Sequence, residues 1–240
     1  MSLTVTEAVV RRRSARAFLD RPVPPALVRE ILELARRSPS AGNLQPWRLY
    51  LLAGDAREAL VAAARGTLAA DPALALAGTG AGYDIYPAAL PPGLHDRKAR
   101  AAAQLYATLG IDRADTGARL AQVARNFEFY GAPVGGFVTV PATAGPVQFL
   151  DAGLFLQTVA LLAAERGLAL CMQAAWANWH TLVRAHVPVG ADELLLCGLS
   201  LGYPDPDAPV NGMATERAPV DQFACLLGTP LAGADDGPAR

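Results

Sequence analysis

Pro39-Ser40-Ala41-Gly42-Asn43-Leu44-Gln45-Pro46-Trp47 is a loop of small and polar residues with a proline near each end. The prolines stiffen the backbone, Gly42 permits unusual geometry, and Asn43 and Gln45 bring both donors and acceptors. A rigid polar loop of this kind can edge a planar heterocycle; it can equally be a turn that feeds the next strand. On its N-terminal side, Leu27, Val28, Ile31, Leu32 and Ala35 recur at helical spacing, with Arg29, Glu30 and Glu33 on the opposite side. Pro24 and Pro25 suit the start of that helix, and Pro39 ends it because the residue before a proline avoids helical geometry. On the C-terminal side, residues 47–52 read as a strand closed by Gly54-Asp55, and 56–64 as a helix.

Nearer the N-terminus, Thr4 and Glu7 have capping-box spacing and start a short helix that runs into Arg12-Arg13-Ser14-Ala15-Arg16. Guanidiniums bind phosphate through paired, charge-assisted hydrogen bonds, and a serine hydroxyl can serve a remaining oxygen. The plainer reading is a solvated basic helix end, where arginines complement the helix dipole. Far along the chain, Asn211 and Thr215-Glu216-Arg217 raise the same choice: one more phosphate contact, or an ordinary surface arginine.

Between these segments, residues 66–97 are rich in Ala, Gly and Pro and read as a variable excursion, a possible cover. Residues 98–109 and 114–129 read as helices, and 134–140 as a strand after the Gly131-Ala132-Pro133 break. Asp151 can cap a helix running to Arg166 and ended by Gly167. That helix is apolar on nearly every face, which implies burial on all sides, a subunit interface included. Residues 168–173 and 194–201 read as strands, 181–186 as a helix, and 202–219 as loop. The whole chain, 1–240, reads as a single domain. No GxGxxG follows a strand and no GxxxxGK[ST] occurs, so dinucleotide-binding and P-loop folds lack support.

Composition narrows the classes. With 52% hydrophobic and 18% charged residues in 240, the chain can bury a large core or lend apolar surface to a partner. A net charge of −1, and no aromatics interleaved with Arg11 to Arg16, argue against a nucleic-acid partner. Cys171, Cys197 and Cys225 are far apart and read as buried thiols of a reducing compartment. His95, His180 and His186 lack metal-ligand spacing, so no metal is expected. The first residues lack a signal-peptide pattern, and the longest apolar run, 152–164, falls short of the ~20 residues that span a bilayer. A cytoplasmic protein with no membrane association is expected.

Taken in order, RRSxR at 12–16, PSAxNxQPW at 39–47 and TER at 215–217 resemble the nitroreductase family of flavoproteins. Phe129 through Val134 is similar to the family's entry to a central strand. Residues 151–157 and 164–168 are similar to its long interface helix and the Gly-Leu that ends it. Gly202-Tyr203-Pro204 through Asn211 and Arg217 resembles the branch that includes nitrobenzoate reductases. The resemblance spans residues 7–225.

It implies an α+β fold, a mostly antiparallel sheet flanked by helices, in an intertwined homodimer with FMN at the subunit interface. Arg12, Arg13, Ser14 and Arg217 would bind the phosphate and ribityl chain, and Arg16 would face the pyrimidine edge. Pro39, Ser40 and Asn43 would approach from the other subunit. Ala174 and Ala175 align with the segment whose backbone amide faces flavin N5. Many members carry a second basic residue where Thr215 stands here. Arg97 or Arg100 could be the mid-chain group that reaches the flavin. Phe127, Tyr130 and Trp176, with Phe129 and Trp179, are candidates for the acceptor pocket or for the core.

The implied reaction passes hydride from NADH or NADPH to the flavin and then to a nitroaromatic, quinone or similar planar acceptor, with no side-chain acid–base pair required. Other possibilities are a flavin-dependent dehalogenase, a flavin-fragmenting enzyme, and a non-enzymatic flavin-binding or storage protein.

Overall fold

A computed structural model describes residues 3–78, 80 and 82–228. Its frame is an antiparallel sheet of β1 (Arg48–Leu52), β2 (Val134–Pro141), β3 (Ala169–Gln173) and β4 (Glu193–Gly202), in the order β1-β2-β4-β3. Around it lie α1 (Val5–Arg11), α2 (Pro25–Ala35), α3 (Gly54–Ala70), α4 (Leu74–Ala77), α5 (Pro92–Thr108), α6 (Thr116–Ala124), α7 (Pro146–Glu165), α8 (His180–His186) and α9 (Pro209–Gly212). This is the α+β architecture expected from the sequence.

Local signals explain where several elements begin. In α1, the Thr4 hydroxyl accepts from the Glu7 N–H while the Glu7 carboxylate accepts from the Thr4 N–H, the reciprocal pair of a capping box. In α2, Pro25 occupies the first turn, where its missing N–H is no loss. The sheet then divides the core, because successive side chains of a strand point to opposite faces. Val134 and Val138 pack with Ile31 and Ala35 of α2 and Phe155, Val159 and Ala160 of α7. Phe137 packs with Leu60 and Val61 of α3, Val183 of α8 and the aromatic rings of Phe127, Phe129, Trp176 and Trp179.

Three expectations are corrected. First, the long helix starts at Pro146, not after Asp151: Gly145 is its N-cap, and the Gln148 side chain accepts from the Gly145 N–H at 2.9 Å. The resulting 20-residue helix is long and apolar enough to cross a bilayer by length and composition, unlike the shorter run expected. It packs against α1, α2, β2 and β3, while Val147, Leu150 and Leu154 stay exposed. Second, the helix expected over 114–129 stops at Ala124 and continues as 3-10 turns to Gly131. Phe129 and Tyr130 adopt left-handed backbones, φ 52° and 54°, which cannot extend a right-handed helix. Third, only Cys171 is buried; Cys197 is half-buried and Cys225 exposed.

Helix α3 also runs on to Ala70 and α5 starts at Pro92, so much of the 66–97 segment is helical. Between them, the Tyr83 hydroxyl donates to the Leu196 carbonyl and pins the connection to β4. Residues 79 and 81 of that segment lie outside the described residues.

Glu193 joins three strands. Its carboxylate accepts from Arg48 at 2.7 Å, from the Tyr50 hydroxyl at 2.8 Å and from the Thr139 hydroxyl. Burial pushes this carboxyl up, but the Thr139, Tyr50 and Gly190 hydrogen bonds and the Arg48 charge together hold it below its ordinary value of 4.5. Its stabilising effect is therefore complete above pH 4.5 and lost as pH falls through the lowered folded-state value. Glu193→Ala leaves two hydroxyls without their acceptor and is expected to cost about 2 kcal/mol near neutral pH. The gap between wild type and variant should close as pH drops below 4.5 in urea titrations. A constant gap down to pH 3 would show that the carboxylate's charge plays no part.

Candidate flavin site

Helix α1 delivers the chain to Arg12, and the following strip is held by Asn211 and by backbone pairing of Ala17 and Leu19 with Asp205 and Tyr203. Asn211, in α9 and only 7% exposed, uses both ends of its amide. Its Oδ1 accepts from the Arg16 N–H at 2.8 Å, and its Nδ2 donates to the Ala17 and Asp205 carbonyls at 2.7 and 2.9 Å. Its backbone carbonyl accepts from Arg13 Nη1 at 2.9 Å. The four contacts lock the strip against the C-terminal segment.

The result is a cleft of about 510 Å³ lined by Arg12, Arg13, Ser14, Arg16, Gln157 and Arg217 among others. Four guanidiniums from opposite ends of the chain thus face one space. Among the described residues, none of the four forms a salt bridge with a carboxylate. Arg217 Nη1 donates to the Thr215 and Glu216 carbonyls at 3.0 and 2.8 Å and to the Thr215 hydroxyl. Thr215, standing where many relatives were expected to carry a basic residue, therefore orients Arg217.

Arg97 and Arg100 hold the C-terminal arm. Arg100 pairs with Glu216 at 3.0 Å and Arg97 donates to Gln222 at 3.1 Å, while Gln104 donates to the Ala214 carbonyl at 2.8 Å. They line a neighbouring cavity that shares Thr215 and Arg217 with the first.

The Arg16 charge acts on both Tyr130 and Cys171. Burial raises the Tyr130 hydroxyl above its ordinary value, and Arg16 partly opposes this. Burial likewise pushes the Cys171 thiol up to about 11, again against Arg16. Both groups are neutral at physiological pH, so the Arg16 charge is left for a ligand.

The Pro39–Asn43 loop is built separately. Gly42, Asn43 and Gln45 take left-handed backbones with φ of 58°, 56° and 47°. The Ser40 hydroxyl accepts from the Gln45 N–H at 2.9 Å, and Gln45 Nε2 reaches back to the Asn43 carbonyl at 3.1 Å. The loop docks on α7, where the Ala41 N–H donates to Asp151 Oδ1 at 3.1 Å. Asp151 is 3% exposed, and its second oxygen has no hydrogen-bond partner. Asn43 is exposed, and Pro39, Ser40 and Asn43 are absent from the lining of the arginine cleft. Ala174 is exposed and Ala175 half-buried, directly after β3.

The acceptor-pocket candidates fare differently. Phe127, Tyr130 and Trp176 are 1%, 5% and 0% exposed, and Phe129 and Trp179 are fully buried. The rings of Phe127, Phe129, Trp176 and Trp179 pack on one another and on Phe137 as core, while the buried Tyr130 hydroxyl donates to Asn126. Asn211 is the residue whose role the sequence did not reveal. The sequence marks Asn211 only as part of the 202–217 stretch, and folding alone discloses that its amide and carbonyl bridge to Arg13, Arg16 and Ala17.

Residues 9–203 match the sequence profile of the nitroreductase family. The chain belongs to the nitroreductase family. Among its family relatives, a 4-nitrobenzoate reductase of Pseudomonas putida is 34% identical over 223 residues, 92% of this chain and 94% of the relative. A 4-nitrobenzoate reductase of Nocardioides sp. (strain LMS-CY) is 36% identical over 231 residues, 92% of this chain and 89% of the relative. The solved structure of an FMN- and NADPH-dependent nitroreductase from Sphigopyxis sp. strain HMH superposes with a TM-score of 0.90 at 40% identity, covering 95% of this chain and 100% of that one. The sheet and helices described above are thus the nitroreductase fold.

Proposed function

We propose that this nitroreductase-family chain is an FMN-dependent oxidoreductase that passes hydride from NADH or NADPH to a nitroaromatic, quinone or similar planar acceptor, working as a homodimer. One observation carries the reading: four guanidiniums without carboxylate partners face a single cleft, a donor set suited to a phosphate dianion. Every charged group there is cationic, and Ser14 adds a hydroxyl, so the residues fit the phosphate and ribityl chain of FMN. FMN, when bound, supplies the hydride-transfer chemistry.

The chain's own residues do the rest. Arg12, Arg13 and Arg217 neutralise the phosphate, and Ser14 donates to the remaining polar atoms. Arg16, fixed through its backbone by Asn211, favours negative charge at the pyrimidine edge. The backbone at Ala174 and Ala175 offers its amide to flavin N5. Pro39, Ser40 and Asn43 complete the site of a second subunit. The exposed apolar residues Val5, Val9 and Val10 of α1 and Val147, Leu150 and Leu154 of α7 support pairing of two copies. The 4-nitrobenzoate reductases of Pseudomonas putida and Nocardioides support a nitroaromatic acceptor. A reducing cytoplasm suits NAD(P)H supply and three unpaired cysteines.

Anaerobic addition of NADPH or NADH to purified yellow protein should bleach the flavin band within minutes, and 4-nitrobenzoate should restore it. Bound flavin that stays oxidised with either donor would favour a storage protein. Sedimentation of the same sample should give twice the chain mass; a flavin-loaded monomer would remove the shared-site reading.

A further inference from the structure

A largely buried network of hydrogen bonds runs from Tyr130 to the turn that carries Ala174 and Ala175, and the reaction outlined above makes no use of it. Gln173 ends β3, immediately before Ala174, and its side chain is 2% exposed. Its Nε2 donates to the Asn126 carbonyl at 2.7 Å, and its Oε1 accepts from the Ser200 hydroxyl at 2.7 Å. The Asn126 carbonyl also accepts from Trp176 Nε1 at 3.1 Å, fixing the turn that carries Ala174 and Ala175. At the other end, the Tyr130 hydroxyl donates to Asn126 Oδ1 at 2.8 Å, and Asn126 Nδ2 donates to the Val123 carbonyl at 2.9 Å. The Tyr130 hydroxyl in turn lies within reach of the Arg16 charge.

The backbone is bent to make this possible. Left-handed geometry at a non-glycine residue costs roughly 1–2 kcal/mol, and Phe129 and Tyr130 adopt it in succession. The bend sets the Phe129 ring under Gly135, where any Cβ would come within 2.5 Å of it, and turns Tyr130 back to Asn126. Consecutive strained residues persist only where surrounding contacts over-determine them, and such strain gathers at functional sites.

We infer that Gln173 and Asn126 are positioning residues: with Tyr130 they hold the Arg16 guanidinium and the Ala174–Ala175 backbone as one rigid unit that sets the electron affinity of the bound flavin. The inference rests on the flavin reading above. Arg16 acts on the pyrimidine edge and the backbone amide on N5, and both favour the electron-rich form only if neither can yield. A fully satisfied buried network supplies that stiffness, and loosening any member should weaken both ends together.

The test is the midpoint potential of the holoprotein, measured anaerobically against a reference dye. Gln173→Met keeps the side-chain length and removes both hydrogen bonds; Tyr130→Phe removes one hydroxyl. Each is expected to lower the preference for reduced over oxidised FMN about tenfold, a shift of roughly 30 mV to more negative potential for a two-electron couple. The double variant should shift by less than the sum of the two, since one network is broken in both cases. Gln173→Met with a lower Tm but an unchanged potential would reduce the network to a packing role and overturn the inference. Should Gln173→Met fail to fold, Tyr130→Phe decides alone, and an unmoved potential overturns it. Wild-type protein unable to take up FMN would instead defeat the proposed function, so the two failures are distinct.

Discussion

Replacing Arg12 and Arg217 together by alanine should lower FMN affinity about a hundredfold and yield nearly colourless protein. Both side chains line the cleft, from opposite ends of the chain, and neither pairs with a carboxylate among the described residues. A hydrogen bond to a charged group contributes about 1.5–3 kcal/mol. Arg217 is exposed and Arg12 half-buried, so solvent screening favours the low end, about 3 kcal/mol for the pair. Riboflavin, which lacks the phosphate, supplies the control: its affinity should be nearly the same for wild type and variant. Fluorescence titration with both ligands reads the difference. A double variant that retains stoichiometric FMN through purification would show that the phosphate lies elsewhere.

Trp176→Ala should cost about 3–5 kcal/mol of stability, a fall in Tm on the order of 10 °C. The side chain is 0% exposed, its ring lies 5.0–5.2 Å from those of Phe127, Phe129 and Phe137, and its indole N–H is hydrogen-bonded to Asn126. Gly198 lies beneath it, and even a methyl group there would come within 2.2 Å of the indole. Truncation therefore opens a cavity that neighbours held in a strand cannot readily fill. Calorimetry gives one readout and steady-state kinetics the other. If kcat/KM for a nitroaromatic fell while Tm stayed put, Trp176 would belong to the acceptor pocket after all.

The sequence made the frame legible because local rules and the global fold agree there. Thr4 with Glu7, Pro25, and the glycine after Arg166 mark helix ends that the structure keeps. The second face of the sheet was harder to read. Nothing in Asn126 to Gly131 announces that two aromatic residues will turn left-handed, because the cause is a tertiary contact under Gly135 and not a propensity. The same limit explains the aromatic residues: a tryptophan suits a pocket wall or a core equally well until its neighbours are known. Asp151 misled in a different way. Its capping chemistry is real, but it serves the Ala41 N–H across space, while Gly145 and Gln148 begin the helix earlier. In the arginine cleft, residue types were readable and their convergence was not, since Asn211 does the joining.

That joining has a consequence for biogenesis. All four described strands are complete by Gly202, whereas Asn211 and Arg217 lie beyond it. Until they are in place, Arg13 and Arg16 lack their Asn211 contacts and the cleft lacks its C-terminal guanidinium. Flavin affinity therefore depends on a segment made after the whole sheet, and a chain clipped just after β4 is expected to bind FMN weakly.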